Sequence, residues 1–376
     1  MSTLMRDDQQ GPQDANPNTV DQQRSAAKRR NGAPRSSRRL AAALLVVAFG
    51  LALSACKDTP PDGQPVPGAS ATATAAESAQ GAASAAAMGS TAPTGSNTAV
   101  ALDPAAGARP LLWVIPSDQG TSYLFGTMHL GADAERQLNP IVWEKLRAAT
   151  SFIMEADVGS ANPLTMMKAA MLPADQSLDT LLGPVLWQKL VKQVGGAVPE
   201  IALKRFKPWF AVVTITQTLL PPGTPMDLVF QQKAKAQGKE LLYLEELDDQ
   251  IKIFDEAMTV ALLKDTINEM GKEKQQLLDL QTAYLKGDPK GAEKLLFDPA
   301  DMKKYPKLYE VFFYRRNAAW MPLIEKHIKQ GKTFIAVGAG HLLGDKGLID
   351  LLIKKGIHPK RIRVGSKGGG AAAPKR

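Results

Sequence analysis

The chain has 376 residues, 44% of them hydrophobic and 22% charged, which excludes a wholly disordered, collagen-like or multispanning membrane protein. Its single cysteine, Cys56, excludes a disulfide scaffold and a four-cysteine zinc site. The formal net charge of +9 is carried by the ends, +4 in residues 1–55 and +8 in residues 354–376, leaving −3 for the body. No nucleic-acid partner is therefore expected.

In chain order, Arg35, Arg38 and Arg39 precede an uncharged apolar run at residues 40–55. At about 1.5 Å rise per residue this run is shorter than the roughly 30 Å hydrocarbon core. It reads as a secretory signal rather than a permanent span. The run ends in Leu53-Ser54-Ala55-Cys56, which resembles the bacterial lipobox. That resemblance implies cleavage before Cys56, acylation of its thiol and of the new amino terminus, and stable anchoring by several acyl chains. Lys57 rather than an aspartate follows the cysteine, which favours the outer membrane. The expectation is a cell-envelope lipoprotein facing the periplasm, with the membrane as a partner through its N-terminal lipid. Residues 1–55 form the signal, with an unusually long hydrophilic lead, and residues 56–107 an Ala/Ser/Pro/Gly tether too poor in apolar surface to fold. Residues 365–376 read as a basic disordered tail, which leaves 108–364 as the ordered domain.

Within that domain, β-type runs at 111–115 and 122–125 flank the turn-like Pro116-Ser117-Asp118-Gln119-Gly120 and predict a hairpin. Asn139-Pro140 caps and opens a helix over 141–149. A short buried strand over 151–155 ends in an acid, Glu155. Residues 160–235 show helical spacing punctuated by prolines. A strand at 240–244 delivers Glu245 and Glu246, and a long helical segment over 249–286 follows. Strands at 332–337 and 361–364 with a helix at 348–355 between them imply a parallel crossover. The class is α/β: a central mixed, mostly parallel sheet flanked by helices, with a large helical middle region.

The chemistry lies in a repeat. Gly126-Thr127-Met128-His129-Leu130-Gly131 and Gly338-Ala339-Gly340-His341-Leu342 each follow a β-type run and lead to an aspartate, Asp133 or Asp345. Two of only four histidines thus fall in one frame after strands, where parallel sheets place ligands. Imidazole is the commonest metal ligand and a natural acid–base group near neutral pH. His327, in a lysine-rich helix, reads as solvated, and His358 sits in a turn. Lys207-Pro208-Trp209-Phe210 reads as a packing element. There is no Walker loop, HExxH or Gly-x-Ser-x-Gly elbow.

This pattern resembles the TraB/GumN family, which includes the TIKI metalloproteases and carries two G-x-x-H motifs, one near each end of its domain. The resemblance covers most of 108–364. It includes Leu112-Trp113, Phe152 through Glu155 to Asp157, Lys207-Pro208-Trp209, Met226-Asp227, Leu244-Glu245 with Gln250 and Phe254, and Arg315-Arg316-Asn317 with Trp320. A proline, Pro225, replaces the usual glycine before Met226. The resemblance implies the fold of the wider erythromycin-esterase and haem-binding-lipoprotein-like superfamily. It also implies a metal-dependent hydrolase, most plausibly a peptidase, acting on a peptide or protein substrate. The divalent metal ion (Mn, Co or Zn) would be held by His129, His341 and Glu155, Glu245 or both. One glutamate could ligate while the other acts as general base, and Asp227 would be a ligand or a helix cap. Arg316 is expected to pair with a site carboxylate or to clamp a developing oxyanion. The alternatives are a non-enzymatic lipoprotein binding haem or metal through the same histidines, and an assembly partner on the same fold.

Overall fold

The computed structural model describes residues 110–221 and 223–363. Four strands run parallel at its centre: β2 (Ser122–Thr127), β3 (Ser151–Met154), β4 (Glu240–Tyr243) and β5 (Thr333–Gly338), beside β1 (Leu112–Ile115) and β6 (Lys360–Arg361). The sheet order is β4-β3-β5-β2-β1-β6, and β1 pairs antiparallel with both of its neighbours. The expected hairpin is β1–β2, in register Leu112↔Phe125 through Ile115↔Ser122. The strand nearest the C-terminus but one, β5, lies in the middle of the sheet. It pairs with β2 from Tyr123↔Phe334 to Thr127↔Gly338 and with β3 from Ser151↔Thr333 to Ile153↔Ile335. β3 and β5 are buried throughout, as strands covered on both faces must be. β6 runs in the same direction as β5 but lies beyond β2 and β1. The expected last strand is thus present but only two residues long, and Val364 lies outside the described residues.

Helices cover both faces of the sheet. α1 (Pro140–Ala148) begins as expected, with Asn139 accepting from the Ile141 amide and proline at its first position. α2 (Pro163–Ala170), α3 (Pro184–Val194) and α4 (Pro208–Leu219) also open on proline, whose missing N–H costs nothing in a first turn. Pro163, Pro184 and Pro208 of the middle region thus mark helix starts. α5 (Met226–Ala236) lays Phe230 over the sheet, where its ring lies 5.2 Å from Phe125 and 5.9 Å from Phe334. Lys207-Pro208-Trp209-Phe210 is a packing element: Trp209 and Phe210 are buried.

The helix expected over 249–286 is two, α6 (Leu247–Ala257) and α7 (Val260–Leu285). Thr259 breaks it by capping α7, its hydroxyl accepting from the Leu262 amide. A π-helical turn, Glu310–Tyr314, runs without a break into α8 (Arg315–Gln330), so Arg316 and Asn317 stand within a continuous helix. α9 (Leu348–Lys354) follows β5. His327 is buried rather than solvated, and burial lowers its pKa. The expected signal, tether, lipid-bearing Cys56 and basic tail lie outside the described residues. Among the described residues no helix is long and apolar enough to cross a membrane.

Candidate active site

Each of the four parallel strands ends at the same place. β2 leads to His129, β3 to Glu155, β4 to Glu245 and β5 to His341. Because β2 and β5 are neighbours, the two Gly-x-x-His turns come out side by side. Their glycines are needed for close approach. A Cβ on Gly126 would lie 3.1 Å from Ala339 Cα, and one on Gly340 would lie 2.6 Å from Phe313 Cε1.

His129 is 1% exposed. Its Nδ1 donates to Asp227 Oδ2, and Thr127 Oγ1 donates to the other carboxylate oxygen at 3.1 Å. Asp227 stands in the first turn of α5 with both oxygens engaged, so it holds the imidazole rather than capping the helix. Tyr284 of α7 donates to the Gly126 carbonyl at 2.9 Å, bracing the same turn, and burial and the Asp227 charge push its pKa well up. His129 Nε2 has no hydrogen-bond partner and lies 3.9 Å from Glu155 Oε1.

His341 is also fully buried. Asn317 Nδ2 donates to the carbonyls of His341 (3.2 Å) and Lys346 (2.9 Å), which fixes the orientation of its amide. Asn317 Oδ1 must then accept from His341 Nδ1, at 2.7 Å. The Nε2 lone pair is left to face Arg316 Nη1 at 3.0 Å and Glu155 Oε1 at 3.8 Å. Both imidazoles therefore carry hydrogen on Nδ1 and turn Nε2 toward one carboxylate oxygen.

Glu155 Oε1 also accepts the Gly338 amide at 2.8 Å. Its Oε2 takes Arg316 Nη2 at 2.6 Å and Gln250 Nε2 at 3.2 Å. Glu245 forms a two-pronged pair with Arg316, Nε to Oε2 at 3.1 Å and Nη2 to Oε1 at 2.6 Å. It also accepts from Gln250 Nε2 and from Trp320 Nε1. The last Arg316 hydrogen bond goes from Nη1 to the Phe312 carbonyl in the π-turn. Trp320 underlies the cluster, with the guanidinium 4.6 Å from one ring centroid and the His341 ring 4.5 Å away.

Burial dominates the electrostatics. It draws the His129 pKa down, but Asp227 and Glu155 more than offset it, and the net shift is upward. Burial, with the neighbouring charges of Arg316 and His129, holds His341 well below its ordinary value. Burial raises Glu155 against the opposing pull of Arg316 and His129, and its net shift is upward. For Arg316, Glu245 and Glu155 outweigh burial, so its charge is secure.

The structure brings together all six residues singled out in the domain's sequence: His129, Glu155, Asp227, Glu245, Arg316 and His341. Glu246 is exposed, so only one of the adjacent acids faces the cluster. Asn317, Trp320 and Gln250 stood in the family pattern without a role, and Thr127 and Tyr284 were not singled out. The spacing Arg316-Asn317-x-x-Trp320 marks one helix face and could have signalled the first two. Among the described residues no group of three or more His, Cys, Asp or Glu side chains converges on one point as a metal cage. The Arg316 fork instead engages Glu155, Glu245 and His341 together.

The profile of the TraB/PrgY/gumN family matches residues 111–361. The chain is 27% identical over 241 residues to "Uncharacterized protein YbaP" of Shigella flexneri, covering 61% of this chain and 87% of that protein. It is 26% identical over 240 residues to the protein of the same name from Escherichia coli (strain K12), with the same coverage. No solved structure matches the chain.

Proposed function

The chain belongs to the TraB/PrgY/gumN family, and we propose that its domain is a metal-assisted hydrolase whose substrate is a peptide. One observation carries the reading: the two motif imidazoles, each fixed with hydrogen on Nδ1 by an acceptor behind it, aim Nε2 at the same Glu155 oxygen, 3.9 and 3.8 Å away. A carboxylate or carbonyl behind the far nitrogen is how metal-binding histidines are held.

The residues fit a divalent cation in chemistry and in charge. His129 Nε2 is a buried nitrogen without a partner, and His341 Nε2 and Glu155 Oε1 are the donors beside it. Three carboxylates, Asp227, Glu155 and Glu245, share this buried cluster with the single guanidinium of Arg316, a donor set that favours a cation. His129, His341 and Glu155 would hold the ion, which would supply Lewis-acid polarisation and water activation. Asp227 and Asn317 orient the two rings. Glu245, Gln250 and Trp320 hold the guanidinium, and the surrounding apolar helices exclude bulk water and strengthen each polar contact.

Loading the purified protein with Mn²⁺, Co²⁺ or Zn²⁺ and offering it a mixed peptide library tests the reading. Cleavage that is abolished by chelation and lost in both His129→Ala and His341→Ala is expected. A haem Soret band without cleavage would replace the hydrolase with a binding protein, and neither result would leave the assembly-partner alternative. For the envelope, the proposal is a lipid anchor on Cys56: Cys56→Ser should move the protein from the membrane to the soluble fraction. Retention in the membrane would overturn the anchor.

A further inference from the structure

We infer that Arg316 is a built-in occupant of the cation place, so that it weakens metal binding and its removal strengthens it. The inference rests on the metal reading above and concerns what that reading leaves out, the fate of the guanidinium. His341 Nε2 offers one lone pair, and Arg316 Nη1 uses it at 3.0 Å. An imidazole nitrogen cannot serve that donor and a metal ion together. The ion must displace Nη1, and it then lies beside a fixed positive charge.

Displacement leaves the rest of the fork in place. The two bonds to Glu245 run from Nε and Nη2 and do not involve His341. Nη1 keeps the Phe312 carbonyl as an acceptor, and Trp320 carries the guanidinium on its ring face. Arg316 therefore has a resting position on Glu245 without His341. Its side chain acts as a positioning residue that keeps the acids and His341 in order until a stronger cation arrives. Releasing one hydrogen bond from a charged donor costs about one to two decades of affinity. Loss of the adjacent charge acts in the same direction.

The test is titration of the full-length protein, stripped of metal, with Mn²⁺ and with Zn²⁺ by calorimetry, alongside Arg316→Gln and Arg316→Lys. Arg316→Gln keeps a donor for Glu245 but not the charge, and is expected to bind at least tenfold more tightly than the parent. Arg316→Lys keeps the charge without the fork and should fall between. If Arg316→Gln does not fold, Arg316→Lys carries the comparison, together with the Zn²⁺-dependent change in Trp320 emission of the parent measured against Trp320→Phe. Equal or weaker binding by the folded variants, or a Trp320 signal that Zn²⁺ leaves unmoved, overturns the inference while the metal reading stands. Binding by the variants alone upholds the inference and overturns metal dependence of the parent. No binding by any form overturns both.

Discussion

Replacing Gly340 with alanine measures how tightly the second histidine turn is built. The new methyl would lie 2.6 Å from Phe313 Cε1 and 3.1 Å from Cζ, whereas carbons in contact settle about 3.5–4.0 Å apart. Phe313 is fully buried, with the Phe297 ring 5.2 Å away and the His341 ring 5.2 Å away, so it has nowhere to retreat without moving the imidazole. Overpacking of this kind costs about 1–3 kcal/mol. Alanine in a helical turn returns about 0.5–1 kcal/mol relative to glycine. Taking the middle of each range, the expected net loss is about 1 kcal/mol. Urea unfolding followed by tryptophan emission would read it. Phe313→Ala in the same chain opens space for the methyl, so the double variant should be more stable than the sum of the two single losses implies. A Gly340→Ala protein as stable as its parent, or additive behaviour in the double variant, would refute the close-approach argument.

Other outcomes follow from single contacts. Asn317→Leu strands the His341 Nδ1–H and the carbonyls of His341 and Lys346, and should cost at least about 3 kcal/mol in chemical unfolding, since each of the three stranded groups costs about 1–3 kcal/mol. Asp227→Asn keeps the size of the side chain but weakens the hold on His129, and should lower Mn²⁺ affinity by about 10–100-fold in calorimetry; an unchanged affinity would mean that the carboxylate does not matter to the ring. Arg205 donates to the carbonyls of Leu172, Pro173, Ala174 and Gln176, so Arg205→Ala should open the exposed segment 173–176 to limited proteolysis while the site stays intact. Tyr305 is pushed up to about 12 by burial and by Asp265. The folded state therefore keeps a proton that the unfolded chain has already lost, and stability should fall as pH rises from 10 through 12. Tyr305→Phe should show a shallower fall over that window.

Much of this site was legible in the sequence because it sits where the pattern is strictest. A strand followed by Gly-x-x-His leaves the backbone few alternatives, and the repeat of that unit put both histidines just after strands, where parallel sheets place ligands; that the two strands are neighbours is seen only in the sheet order. Glu155 and Glu245 were legible for the same reason, as acids closing short apolar runs. The role of Asp227 was not: the same residue two places after a proline could cap a helix, and only the position of His129 decides between the uses. Asn317 and Trp320 share a helix face with Arg316, which their spacing signals, but the sequence does not show that this face meets His341 and Glu245. The break at Thr259 was hidden because apolar periodicity continues across it, while a single hydroxyl caps the next helix.

The central position of β5 has a consequence for biogenesis. A nascent chain that has emerged only to residue 332 holds the β1–β2 hairpin and the β3–β4 pair with an empty slot between them, because β5 is the strand that joins β2 to β3. Such a chain is two unjoined half-sheets with open inner edges, each a template for mispairing. The strand that fills this slot also leads into the second histidine, so joining the two half-sheets and bringing His341 beside His129 happen together.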